Sequence, residues 1–137
     1  MNRELELVRA VSLAADGFYG DAKEFGQTAA DRFQGEGGGK SQIKSLESIA
    51  NSALKVADIL DYVKKQYSKH NAWRQDEFGV VLLRYLEERL GETARGLNVV
   101  PPVTEAWERQ RVHINLIRQF VTQVAAHYEF ARSGGSR

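Results

Sequence analysis

Cysteine is absent from this chain of 137 residues. That excludes thiolate zinc sites, disulfide scaffolds and thiol chemistry, and it agrees with a reducing, cytoplasmic setting. Proline is nearly absent; the two present, Pro101 and Pro102, are adjacent. Long prolineless stretches with apolar residues three and four apart point to an all-α chain, and no strand pattern or internal repeat stands out. No run approaches the ~18 apolar residues of a membrane span, and the charged start, Met1 to Glu6, lacks the apolar core of a signal peptide. No excess of one charge is present either: the net charge is +1. Composition alone therefore does not argue for nucleic acid.

The distribution of charge is uneven, and that carries more information. Residues 1–39 hold 4 basic and 7 acidic side chains, whereas residues 40–74 hold 7 basic and 3 acidic. Residues 101–137 hold 5 and 3. Positive charge thus gathers on residues 40–74 and, less so, on the last segment.

The periodicity predicts a four- to five-helix bundle. A first helix covers about 3–15, with a break at Asp16-Gly17. A second covers Asp21 to Phe33, where Phe18, Ala22, Phe25, Ala29 and Phe33 recur at helical spacing. Gly20 and Gly26 weaken it by about 1 kcal/mol each relative to alanine. The run Gln34 to Gly39 is a breaker. One long amphipathic helix is expected over about 41–69, capped by Ser41. Another is capped by Asp76, and Gly91 fits the position just past its end. After a loop over 92–103, a long C-terminal helix of about 104–131 is capped by Thr104, onto which Val103 can staple. Its apolar arc spans near half the circumference, as for a helix central in a bundle or facing a partner. The expected organisation is an N-terminal helical arm (1–34), a bundle core (40–132) and a flexible tail (133–137).

At 100° per residue, the expected 41–69 helix is apolar on one side, with Ile43, Leu46, Ile49, Ala50, Ala53, Ala57, Leu60 and Val63. The opposite stripe carries Lys40, Lys44, Lys55, Lys65 and Lys69, joined by Ser48, Asn51 and Tyr62. Cations in a row suit a run of phosphates. The same pattern arises from simple solvation of a wet face, with Glu47 and Asp58 close by, and the pattern leaves both readings open. Arg111 and Arg118 sit at the edge of the last helix's apolar arc and would extend a basic groove if that helix lies beside the long one. Trp73 reads as a core anchor.

No constellation supports catalysis or a metal. Gly39-Lys40-Ser41 supplies half of a phosphate loop, but the first glycine of that motif would fall on Gln34 and no strand precedes it. The alternatives are a hinge or a helix N-terminus holding one phosphate with Lys40 and Lys44. His113 and His127 lie about 21 Å apart along one helix and cannot share a metal; with His70 they read as boundary residues. No cofactor is implied.

The segment Lys40-Ser41-Gln42-Ile43-Lys44-Ser45-Leu46 resembles the small subunit of Csm-type (type III) CRISPR effector complexes, whose helix opens with Thr/Ser-Ser-Gln-Ile-Arg-x-Leu. Lys44 stands here for the arginine. Phe120 to Phe130 is similar in character to that family's C-terminal ending. The Cmr-type small subunit, also helical, is a close rival. The resemblance implies a non-catalytic subunit in antiviral defence. Its partners would be the backbones of crRNA and target RNA, other effector subunits and copies of itself, with no membrane and no small-molecule substrate. Lys44 is carried over by the motif. Lys40, Asn51, Lys55, Lys65, Lys69, Arg111 and Arg118 come from helix geometry. The competing reading is a helical adaptor or homodimerisation module, with an exposed apolar patch on the last helix and lysines neutralised by Glu47, Asp58 and Asp61. An enzyme would need converging ionisable groups, for which the sequence offers no candidates.

Overall fold

The wide apolar arc near the C-terminus becomes the spine of the molecule. A computed structural model describes residues 2–33 and 39–134. In it α8 (Ala106–Arg132) runs for 27 residues, about 40 Å. It packs against α1 (Arg3–Gly17), α2 (Tyr19–Arg32), α3 (Gly39–Ser52), α4 (Val56–Lys69) and α7 (Leu90–Arg95). Between α4 and α7 lie α5 (Asn71–Arg74), a 3-10 turn (Gln75–Glu77), α6 (Phe78–Arg84) and a π turn (Tyr85–Arg89). Among the described residues all regular structure is helical. No described helix is long and apolar enough to cross a membrane.

The start of α1 follows from its sequence. Asn2 accepts the Glu4 amide at 2.8 Å, and Glu4 and Glu6 place negative charge on the first turn. The break to α2 comes at Phe18, which turns its ring into the core edge-on to Phe120. Small side chains on α2 then let it lie close to α8: Ala22, Gly26, Ala29 and Ala30 are all buried. The buried apolar side chains of residues 2–33 belong to the same core as those of the later helices. Phe33 stacks on Trp73 at 5.5 Å and meets Phe78 and Tyr128 edge-on. Trp73 is fully buried, and its indole N–H donates to Gln42 Oε1 at 2.7 Å.

The expected single helix over 41–69 is two helices. It ends at Ser52 and restarts at Val56. The reason lies in α8. Arg118 donates to Ala50 O at 2.8 Å and to Ala53 O at 3.1 Å, taking the last carbonyls of α3. Gln110 Oε1 accepts the Val56 amide at 2.8 Å, satisfying the first turn of α4. Both orphan ends are thus capped from a helix more than fifty residues away. The break also shifts the helical phase of the residues beyond it. In a continuous helix Ile59 would lie about 20° from Ser48 on the wet side, yet it is fully buried, while Ala57 is exposed.

Three further boundaries differ. Asp76 does not cap the next helix; its backbone is left-handed (φ 50°), as is that of Glu77 (φ 59°), and its carboxylate pairs with Arg32. Gly91 is inside α7 rather than past its end, buried where a Cβ would lie 3.4 Å from the His113 ring. The loop to α8 begins at Gly96, contains a cis Val100–Pro101 bond, and ends at Glu105, not Thr104, as N-cap. Arg3 crosses to this end of α8, donating to the buried Glu108 at 2.7 and 3.2 Å. The breaker at Gln34–Gly38 and the end of the tail, residues 135–137, lie outside the described residues.

His113 fixes the π turn. Its Nε2–H donates to Leu86 O at 2.8 Å, inside a turn closed by the Leu90 amide on Tyr85 O. Burial is the main cause that pulls its pKa below 6.5; the bond to Leu86 O opposes this, Arg95 lowers it further and Glu87 raises it. A base with a depressed folded pKa stabilises the fold above its unfolded pKa and loses that contribution as pH falls, because the unfolded chain binds the proton first. Thermal melts should therefore show a midpoint falling below about pH 6.5, with a shallower fall in His113→Gln.

Candidate nucleic-acid interface

The α3–α4 break divides the expected basic stripe. Lys40 and Lys44 stay together on the exposed side of α3, where with Ser41, Ser45 and Ser48 they line a shallow depression. Lys65 and Lys69 are exposed on α4. α3 packs on α4. The Tyr62 hydroxyl donates to Gln42 O at 3.0 Å, so the first turn of α3 meets the middle of α4. Burial raises the Tyr62 pKa, with a Ser45 hydrogen bond opposing, which keeps the phenol a donor. Lys40 and Lys44, each two residues from the buried Gln42, lie on the opposite, solvent side of α3. Lys65 and Lys69 follow Tyr62 by three and seven, the spacing of one helix stripe.

These four lysines are available. Among the described residues Lys64 pairs with Asp61 at 3.8 Å, whereas Lys40, Lys44, Lys65 and Lys69 make no ion pair. Glu47, Asp58 and Asp61 therefore do not neutralise them. Lys55 is likewise exposed and unpaired, but it sits in the extended break before α4. Its neighbour Leu54 is 84% exposed.

The remaining expected site residues are engaged elsewhere. Arg118 holds the α3 carbonyls and also donates to Asn115 Oδ1 at 3.2 Å. Arg111 pairs with Glu4 across to α1. Asn51 donates to Glu47 O at 2.9 Å within its own helix. Asn51 and Arg118 do share a surface: with Val8, Ser12, Asn115 and Gln119 they line a groove of ≈ 360 Å³ between α1, α3 and α8. That groove is polar and carries one cation, itself hydrogen-bonded. Both arginines are thus removed from the basic surface by local partners.

The described residues hold no group of three metal-ligating side chains. His127 is edge-on to Tyr19 at 4.9 Å, and His70 precedes α5 as its N-cap. Of the phosphate-loop segment, Gly39, Lys40 and Ser41 form the first turn of α3, and the preceding glycines lie outside the described residues. Two features are not legible in the sequence pattern. One is the Gln42–Tyr62–Ser45 joint, whose only signal is a glutamine and a tyrosine on an otherwise lysine-rich segment. The other is a cavity between α2 and α6, lined by Asp21, Arg32 and Tyr85 among others. Nothing in the spacing of those three signals their approach. No protein-family model, curated protein or solved structure matches this chain.

Proposed function

We propose that this chain is a non-catalytic subunit that holds an RNA backbone, and that it is the small subunit of a type III CRISPR effector complex. The observation that carries the reading is that Lys40 and Lys44 on α3 and Lys65 and Lys69 on α4 are exposed and unpaired. Free ammonium groups on rigid helices neutralise phosphates without reading bases. The motif behind the CRISPR resemblance is consistent with this division of labour. Gln42, Ile43 and Leu46 are buried and maintain the fold, while Lys44 faces solvent. In such a subunit crRNA and target RNA would be held by their backbones in the cytoplasm, as part of antiviral defence, with neighbouring subunits alongside.

A second reading, a protein–protein adaptor, has its own observation. Leu54 and Trp107, 84% and 59% exposed, flank the contact where Gln110 caps α4.

Binding of a labelled ~40-nucleotide RNA at ~50 and ~200 mM salt separates the two. For four phosphates neutralised on a single strand, affinity should fall by roughly fiftyfold across that range. Lys44→Ala/Lys65→Ala should weaken binding and reduce the salt slope by about 1.4. Arg111→Ala, which removes a cation already paired with Glu4, should leave both nearly unchanged. Absence of binding at the lower salt would count against the RNA reading and favour the adaptor.

A further inference from the structure

The cavity between α2 and α6 has a volume of ≈ 330 Å³, within the range of small-molecule sites. Its floor is aromatic. The Phe25 ring lies edge-on to Phe78 and Tyr85, with centroids 6.2 and 5.5 Å away. Its two ends differ in charge. At one end Arg32 and Asp76 pair with each other and so cancel. At the other, Asp21 and Glu24 lie one helical turn apart on the same wall, with no cation paired to either among the described residues. The Tyr85 hydroxyl donates to Asp21 Oδ2 at 2.7 Å, which orients that carboxylate and leaves its second oxygen for another donor.

Three separate irregularities converge on this cavity. Arg32 Nε is buried and has no hydrogen-bond partner, although a buried donor is rarely left unsatisfied. Asp76 and Glu77 are consecutive left-handed residues, neither of them glycine. Tyr67, whose hydroxyl donates to the Glu77 carboxylate at 2.9 Å, and Arg32, which pairs with Asp76, hold them there. That conformation turns Asp76 into the cavity wall instead of the α6 cap, and such strain concentrates where a ligand is held. The π turn begins at Tyr85, the wall residue facing Phe25, and such turns recur at functional positions.

We infer that this cavity binds a small organic cation, an arylalkyl ammonium whose charge sits against Asp21 and Glu24. Its flat body lies on Phe25 and Tyr85, where the ammonium also gains from the ring faces. The site is separate from the lysine surface and does not depend on RNA binding.

The test is a titration of the isotope-labelled full chain, followed by amide shifts. Tyramine is the probe, and 3-(4-hydroxyphenyl)propionate, of similar body and opposite charge, is the control. Tyramine should give saturable shifts confined to α2 and residues 75–89, with a Kd of about 1 mM or tighter. The propionate should bind at least tenfold more weakly. Asp21→Asn/Glu24→Gln, both partly or fully exposed positions, should weaken tyramine at least tenfold while the remaining spectrum stays that of the folded protein. The proposal is overturned by no saturable shift up to about 10 mM tyramine, by equal binding of the anion, or by wild-type affinity in the double variant. It is also overturned if Nα-acetyl-lysinamide binds more tightly than tyramine, because the occupant would then be a partner's lysine.

Discussion

Gly26→Val should lower stability by about 3–4 kcal/mol, a fall in melting midpoint of roughly 10 °C. A Cβ at Gly26 would lie 2.6 Å from His127 Cβ, 2.7 Å from Val124 O and 2.9 Å from Tyr128 N. Two of those atoms are backbone of α8, so no side-chain rotation relieves the overlap. The helices must separate, and the interface that separates includes Ala22, Ala29, Ala30 and Phe33, all fully buried. Gly26→Ala should show the same effect in smaller measure, because alanine recovers about 1 kcal/mol of helix propensity. Gly20→Ala is the internal control. It lies on the same helix with nothing within 4 Å of the added Cβ, and it should stabilise by about 0.5–1 kcal/mol. Thermal melts of the three variants decide the point. Equal effects at the two glycines would show that α2 does not lie this close to α8.

Arg118→Ala should cost about 3 kcal/mol and leave RNA binding within about twofold. The guanidinium caps Ala50 O and Ala53 O, and hydrogen bonds to a charged donor contribute about 1.5–3 kcal/mol each. Removing it exposes the end of α3 in a place where Ala53 is buried. The opening should be local first. Amide exchange over residues 53–58 should accelerate by roughly a hundredfold, while amides in the middle of α8 change only with global stability. Arg118→Met, which keeps the apolar stem, should lose nearly as much, because the carbonyls rather than the packing are the reason for the arginine. If Arg118→Ala instead abolished RNA binding with the fold intact, its role would be on phosphate and not on the helix end. Paired with the Lys44→Ala/Lys65→Ala variant, this measurement separates cations that hold the fold from cations that face solvent.

That separation is invisible at the level of pattern. Lys44 and Arg118 both read as basic residues on amphipathic helices, and Lys55 and Asn51 fall in the same stripe as Lys65. Helical spacing reports which residues share a face of a continuous helix. It does not report where a helix stops when the stopping groups come from elsewhere. Ala53-Leu54-Lys55 contains neither proline nor glycine, and local propensity alone would carry the helix through. The same limit applies at Asp76-Glu77, where two left-handed residues are held by Arg32 and Tyr67, and at Gly91, which lies inside α7 beside His113 rather than past a helix end.

The amino-acid sequence by itself determined the helical class, the long apolar α8, the face that α2 buries and the anchoring role of Trp73. Each rests on short-range periodicity, and apolar residues three and four apart can be hidden together only on a helix packed against others. The tertiary structure alone decided which cations are available, where the 39–69 segment breaks, and that Asp21, Tyr85 and Arg32 line one cavity. Those outcomes depend on hydrogen bonds between groups from 44 to 107 residues apart. Such partners exist only once the chain has packed, and a buried carbonyl or guanidinium takes whichever partner packing delivers to it.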